Sequence, residues 1–439
     1  MKAQSIGSSF QQTAPKTQQT TNKHALPGSF FVKGAIILLS LCCLLPAFAS
    51  KHISFELIKL ELSPVVLPPG EGGVPHLPKP QDQASITPLA AKNKAAANTG
   101  STPKSLLVYY GWPSSFNYNN NFWDLSKVAA DFSRYDLIVL GAGLELTSHG
   151  DHTNTGSILS IIDQQLAASG RTIRIFGYLD LGRSTNNYPQ AEIEQRIDLW
   201  RQLLQGYSQI DAGIFFDDYG YDFGTDRTRQ TPAVNYAKSR ALTVIVNAWD
   251  PDDVFGADIN TNSYAGIMMN PDGNPPPDDI DYYLSESFVI QNSNWAGQTT
   301  LENKQAKLTA YQASYQPHQP MQVLSLTTNT GNYSFSQQKF NYAWHYASLY
   351  NHAAFGWGEP AFSSNAVAPF RSRPSATFDF PPQQAPQATG SGPCIYREPT
   401  TGFHGVMIHP QAHVSVTALD LNSLLNNLNS AFSSLQCQY

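Results

Sequence analysis

A chain of 439 residues with an apolar fraction of 41% is long enough for one large domain or two ordinary ones, and its composition is that of a globular protein. Charged side chains make up only 14%, so the surface must lean on Asn, Gln, Ser, Thr and Tyr. The formal net charge of -6 argues against a nucleic-acid partner.

Residues 1–49 read as a signal peptide or anchor. Lys2, Lys16, Lys23 and Lys33 are the only formal charges before residue 51, and they precede the apolar run GAIILLSLCCLL (34–45). Pro46 and AFAS follow, with Ala47 and Ala49 at the spacing of a cleavage site. The run is short for a membrane span of about 20 residues, which favours a cleaved leader over an uncleaved anchor. Cleavage would remove four of the 27 basic residues and leave 23 against 33 acidic ones. That balance suits a cationic or neutral partner outside the cell or in its envelope. Cys42 and Cys43 would leave with the leader. Cys394 and Cys437 would remain as an even pair, expected to form a disulfide in an oxidising compartment, with two unpaired buried thiols as the alternative.

Residues 50–104 read as a tether: SPVVLPPGEGGVPHLPKPQ is proline-rich, PLAAKNKAAANTGSTPK is built of small residues, and neither buries enough to fold alone. From Ser105 the texture changes, and residues 105–375 read as one domain. Eight short apolar runs follow one another: SLLVYYGW (105–112), YDLIVLGAG (135–143), IRIFGYLDLG (173–182), AGIFFDDYG (212–220), LTVIVNAW (242–249), DYYLSESFVI (281–290), MQVLSLTTN (321–329) and AAFGWGE (353–359). They are near-continuously apolar, as strands buried on both faces are. Helical patterns lie between most of them. SILSIIDQQLAASG ends at Gly170, PQAEIEQRIDLWRQLLQG carries Ile193, Ile197, Trp200 and Leu204 on one face, and DRTRQTPAVNYAKSR opens on the N-cap Asp226. TLENKQAKLTAYQASY and SFSQQKFNYAWHYASLY fill later gaps. Eight strands with intervening helices predict an α/β fold, the (β/α)8 barrel, with an open doubly wound sheet as the alternative. YYGWPSSFN after the first strand is no glycine-rich phosphate loop, which speaks against nucleotide binding. Residues 376–439 read as a linker and a small disulfide-closed appendage with one amphipathic helix, Leu419 to Leu435.

In a barrel, functional groups belong at the C-terminal ends of the strands. Those ends offer Tyr109, Tyr110 and Trp112, then Tyr178 and Asp180, then Asp217 and Asp218, then Asn247 and Trp249, then Glu286, and last Trp357 and Glu359. Carboxylates and aromatic rings on one rim describe a sugar site: rings stack on pyranose faces, and two carboxylates cleave a glycosidic bond. Asp217 ends a strand and is expected to point into the barrel mouth. Strand alternation sends Asp218 to the other side unless the chain is already turning out. Glu286 is a lone acid in an apolar strand, a cost that calls for a partner. Asp180 reads equally as a catalytic acid or as an anchor for a sugar hydroxyl or amine. Asp222 is expected to order its own loop with Arg227, and Glu359 either lines the site or braces Arg183. The aspartate-rich NAWDPDDVFGAD and NPDGNPPPDD do not match a calcium loop, and no HExxH, zinc-ligand spacing or G-x-S-x-G occurs, so no metal or cofactor is expected.

Taken in order, RIFGYLDLG, WRQLLQGYSQIDAGIFFDDYGYDFG, VIVNAWDPDDVF and YYLSESF resemble the barrel glycosidases of glycoside hydrolase families 114, 135 and 166, which include spherulin-like proteins and endo-α-1,4-polygalactosaminidases. The resemblance covers most of residues 105–360. It implies that Asp217 and Asp218 are the paired acids of the fourth strand and Glu286 the later glutamate. It also implies a galactosamine-containing, partly cationic polysaccharide as substrate. The second acid, often Glu in that group, is Asp218 here, and Asp180-Leu181-Gly182-Arg183 stands where many of its sequences read SVGE. The expected protein is an exported, monomeric glycosidase without cofactor, tethered to a membrane only if the leader is retained. The alternative is a non-catalytic glycan-binding protein of the envelope or matrix using the same cleft.

Overall fold

The computed structural model describes residues 102–431 and Cys437, apart from 258, 262–267, 272, 316–320, 332–333, 364–367, 381–384 and 390–392. The leader and nearly all of the tether lie outside the described residues. Among the described residues no helix is long and apolar enough to cross a membrane.

Each apolar run supplies one strand: β1 (Lys104–Tyr109), β2 (Leu137–Leu140), β3 (Ile173–Asp180), β4 (Ile210–Asp217), β5 (Thr243–Val246), β6 (Tyr282–Ser285), β7 (Gln322–Thr327) and β8 (Ala354–Trp357). All pair in parallel in sequence order, and β1 bonds both β2 and β8, so the sheet closes. The fold is a (β/α)8 barrel. An open sheet would leave two strands with a single neighbour each.

Helices α1 (Leu125–Phe132), α2 (His152–Ala167), α3 (Gln190–Leu204), α4 (Arg227–Ser239), α5 (Gln298–Ser314) and α6 (Gln337–Leu349) pack around the barrel. The last five fall on the periodic segments. The sequence reading missed α1, which is only two turns long. It starts where the Asp124 carboxylate accepts the backbone N–H groups of Ser126 and Lys127. Among the described residues between β5 and β6 the chain makes a short helix, Asp252–Phe255, and a two-residue ribbon pairing Asn260–Thr261 with Met268–Met269.

Strand alternation sorts the core. Leu106, Val108, Phe176, Phe215, Ile245, Leu284, Leu324 and Leu326 fill the barrel interior. Tyr109, Ile214, Phe216, Val244, Val246 and Tyr283 face outward into a belt shared with Ile158, Ile193 and Trp200 of the helices. The same parity decides the rim: two residues beyond an inward Phe215 comes Asp217, beyond Ile245 Asn247, beyond Leu284 Glu286, and beyond Val108 Tyr110.

Beyond the barrel, β9 (Gln387–Ala388), β10 (Ile395–Arg397), β11 (Gly405–His409) and β12 (Val414–Ala418) form an antiparallel meander, followed by α7 (Leu421–Ala431). Val406 and Ile408 share a core with Phe340, Trp344 and Tyr346 of α6. His345 bonds Ser415 Oγ at 2.8 Å and Arg397 donates to the Leu349 carbonyl at 3.0 Å. Cys394 and Cys437 lie side by side, Cα atoms 5.7 Å apart, in a cluster covered by Leu424 and Leu428 of α7.

One close approach ties a helix to the strand that carries Tyr178 and Asp180. Trp200 of α3 is fully buried, and its indole N–H donates to the Tyr178 carbonyl at 3.0 Å. A Cβ on Gly177 would stand 2.0 Å from the Trp200 ring. Gly177→Ala is therefore expected to destabilise the domain by about 1–3 kcal/mol, the cost of overpacking a dense core. A lower urea midpoint at unchanged slope checks this; an unchanged midpoint contradicts it.

Candidate active site

The centre of the barrel mouth is a single amide. Asn247 Nδ2 donates to Asp217 Oδ1 at 3.0 Å and to Glu286 Oε2 at 2.8 Å. Two oxygens that accept the two hydrogens of one amide nitrogen sit about 5 Å apart. Asn247 is itself fixed by its backbone. Its N–H donates to the Phe216 carbonyl at 2.9 Å, and its carbonyl accepts from Tyr219 N–H at 3.0 Å. Asp217 and Glu286 thus flank Asn247, at the ends of the two strands that neighbour β5.

Asp218 reaches the same pocket by an unexpected route. β4 ends at Asp217, and Asp218 takes the left-handed conformation, φ 51°. Aspartate tolerates that region better than most residues. The turn is held by Thr225 Oγ1, whose single hydrogen is shared between the Asp218 carbonyl at 2.8 Å and the Leu181 carbonyl at 3.0 Å. Alternation therefore does not carry Asp218 away from the mouth. The fields of Asp217, Glu286 and Asp218 all act on the Tyr110 hydroxyl.

Asp180 pairs in register with Asp217, on the same face of the adjacent strand. Its carboxylate accepts from Gly182 N–H at 2.6 Å, Thr185 Oγ1 at 2.8 Å and Asn186 Nδ2 at 2.6 Å. Three donors make it the anchor of the β3–α3 loop. Asp217 accepts from Asn247, from Tyr178 and from the Asp218 N–H. Burial first, and then the Glu286 carboxylate, push Asp217 up to about 7. Burial first, and then Asp217, push Asp218 up to about 9. The two titrate as a unit that keeps a proton at neutral pH. Burial also raises Glu286, opposed by the Asn247 hydrogen bond and by the charge of Lys304.

Lys304 is not among the residues expected from the sequence. It projects from α5 with its ammonium 5.2 Å from the Trp249 ring centroid and 5.6 Å from that of Tyr283. Burial pulls it down to about 8, against the opposing pull of Glu286 and Asp250. The available signal was its place three residues after Leu301 and four before Leu308, on the buried stripe of a helix where a lysine is out of place.

Of the other expected residues, Tyr110 and Tyr178 join the site, their ring centroids 5.1 Å apart, and Trp249 lies under Lys304. Tyr109 does not join: its parity turns it outward, where its ring meets Phe116 at 4.9 Å. Trp357 likewise faces outward, against Phe335 at 5.3 Å. Glu359 pairs with Arg371 at 2.8 Å, while Arg183 pairs with Asp226. Trp112 sits at the outer rim beside His149. Asp222 accepts backbone N–H groups from its own loop, as expected, but Arg227 turns instead to the carbonyls of Asp253, Val254 and Gly256.

No protein-family model matches the chain, and no curated protein does. Several solved structures are weakly similar. α-Galactosidase I from Mortierella vinacea is 9% identical, with 71% of this chain and 82% of that chain covered and a TM-score of 0.40. The catalytic domain of the Thermobifida fusca endoglucanase Cel5A is 12% identical over 61% and 82%, with a TM-score of 0.37. The type I 3-dehydroquinate dehydratase from Clostridium difficile is 9% identical over 60% and 87%, with a TM-score of 0.33. Their names span unlike chemistries, so the reading of the site rests on its own residues.

The electrostatics make a stability prediction. An unfolded aspartate loses its proton near pH 4, whereas folded Asp217 holds it to about 7. The folded state therefore binds more protons between those values, and stability falls as pH rises through that window. Asp217→Asn is expected to melt higher than the parent at pH 8, with a much smaller difference at pH 4. Equal melting temperatures at both pH values would count against the buried, protonated pair.

Proposed function

We propose that the chain is an exported glycoside hydrolase that cleaves an α-linked, galactosamine-containing polysaccharide. The observation that carries this reading is the Asn247 amide shared by Asp217 and Glu286. A separation of about 5 Å between the two oxygens that share the amide fits the closer spacing of carboxyl pairs in retaining glycosidases, about 5–5.5 Å, and is short of the 6.5–9.5 Å that leaves room for water in inverting ones.

The roles follow from the charges. Asp217, sharing a proton with Asp218, is the general acid. Glu286, with the Asn247 amide and the Lys304 cation on its side, is the nucleophile. Glu286 attacks the anomeric carbon while Asp217 gives its proton to the leaving oxygen, forming a glycosyl ester on Glu286. Asp217, now ionised, takes a proton from water as the water cleaves that ester. Tyr110 and Tyr178 supply ring surface beside the reacting bond. The cluster of Asp180, Asp217, Asp218 and Glu286 favours a substrate carrying protonated amines over a neutral or anionic one. Export is supported by the N-terminal pattern and by the Cys394–Cys437 pair, whose Cα separation of 5.7 Å suits a disulfide.

Partly deacetylated galactosaminogalactan is the test substrate. New reducing ends are expected with the parent, at least 100-fold fewer with Asp217→Asn and with Glu286→Gln, and the first product should keep the α configuration by NMR. A β product would replace the nucleophile by a general base. Cleavage of neutral glycans alone would remove the amino-sugar assignment. Retention of the polymer without cleavage by all three proteins would leave a glycan-binding protein instead.

A further inference from the structure

Four large aromatic side chains stand in water in the loop that leaves β1. Trp112 is 43% exposed, Tyr118 38%, Phe122 66% and Trp123 53%, and among the described residues no other aromatic side chain is this open. The Tyr118 ring lies 6.1 Å from Phe122 and 5.4 Å from Trp123, centroid to centroid. Exposed rings on a floppy loop would mean little, but this loop is pinned. The backbone N–H and hydroxyl of Ser114 both donate to the Asp151 carboxylate, at 2.9 and 2.6 Å. Asn117 and Asn121 both donate to Asp131, at 2.9 and 3.0 Å. Between them Phe116 is buried, stacked on Phe132 at 4.6 Å.

The backbone is also held in a conformation that the exposed residues disfavour. Phe122 and Trp123 are consecutive and both left-handed, φ 49° and 64°. Bulky side chains avoid that region, and here no burial of the rings offsets it. Packing does not explain the arrangement; presentation of the rings does.

We propose that Tyr118, Phe122 and Trp123 form an outer platform that holds a polysaccharide strand leaving the acidic cleft. The surrounding chemistry selects this occupant. From Ser105 to Ser126 the only charged residue is Asp124, and the rings are interleaved with the exposed amides of Asn119 and Asn120. Apolar ring faces beside neutral hydrogen-bonding groups match the C–H faces and hydroxyls of sugars, and the same faces attract protonated amines. An anionic membrane would instead call for a cluster of Lys or Arg. The position fits as well. The loop starts at Tyr110, inside the cleft, and every loop that follows a strand opens on the same face of the barrel as the acids. The identity of the strand as an amino-sugar polymer rests on the proposed function; the platform itself does not require catalysis.

The test is affinity electrophoresis of the full chain in gels containing partly deacetylated galactosaminogalactan, in an Asp217→Asn background so that the polymer survives. Strong retardation is expected for the Asp217→Asn protein, and at least a five-fold weaker apparent affinity after Phe122→Ala and Trp123→Ala are added. Phe122→Gly with Trp123→Gly, which the positive φ angles accommodate, should lose the same affinity with no fall in melting temperature, so that misfolding is not the cause. Unchanged retardation in both double variants overturns the platform while leaving hydrolysis untouched. Loss of sedimentation with phosphatidylcholine vesicles, in place of polymer retardation, would overturn it in favour of a lipid surface. If the parent never cleaves the polymer but its retardation depends on Phe122 and Trp123, the platform stands and the hydrolase fails.

Discussion

Everything at the barrel mouth depends on how the amide of Asn247 shares itself. Two carboxylates that close together in a buried pocket repel one another, and each loses hydration that the interior does not replace. A neutral amide with two hydrogens is the smallest group that can satisfy both without adding charge. A lysine in its place would ionise both acids and bind them as salt bridges; a serine has one hydrogen and would satisfy one. With Asn247 the pair is held at a fixed spacing while a proton remains available. The rigidity of that spacing comes from two backbone hydrogen bonds that lock residue 247 between β4 and the turn at Tyr219.

The comparison between Asp180 and Asp217 shows why adjacent acids on one face take different parts. They sit in register on neighbouring strands, and both are buried. Asp180 has three donors and spends its charge on the loop from Gly182 to Asn186. Asp217 also has three donors, Asn247, Tyr178 and the Asp218 N–H, but it faces Glu286 across the shared amide, and burial and repulsion raise its affinity for a proton. The neighbours of each carboxylate, rather than the number of its donors, separate the loop anchor from the acid. The Lys304 charge, from the helix side of β6, acts on Glu286 in the opposite sense to the action of Glu286 on Asp217, so the two acids of the pair are biased differently.

Much of this was legible in the sequence because barrel strands obey a period of two and end at a rim. The eight runs are the eight strands, and Asp217, Asn247 and Glu286 follow from parity alone once the inward residues Phe215, Ile245 and Leu284 are known. Parity also turns Tyr109 and Trp357 outward, which a sequence without an assigned inner face does not reveal. Asp218 was harder: alternation sends it away, and only a left-handed turn, invisible in composition, brings it back. Lys304 was missed because it comes from a helix, where attention to strand ends does not look. The meander of β9 to β12 was missed for another reason. Its longest strands are five residues each, GVMIH and VSVTA, too short to stand out in a segment that reads as a linker and a small appendage with one helix.

The appendage bears on the barrel in a way that links these points. Among the described residues, no helix of barrel length follows β8 directly, and the flank of α6 that such a helix would cover meets Val406 and Ile408 of β11. The ring of helices is therefore completed by a sheet. That substitution buries Phe340 and Trp344, which in turn back Phe355 and Trp357 of β8. β8 is bonded to β1, the strand that carries Tyr110 into the cleft and launches the aromatic loop beyond it. Loosening the appendage would release one wall of the barrel next to the first strand of the site. Cys394 and Cys437, remote in sequence from Asp217 and Glu286, lie in the cluster between the sheet and α7, the sheet packs on α6, and α6 packs on β8 beside β1.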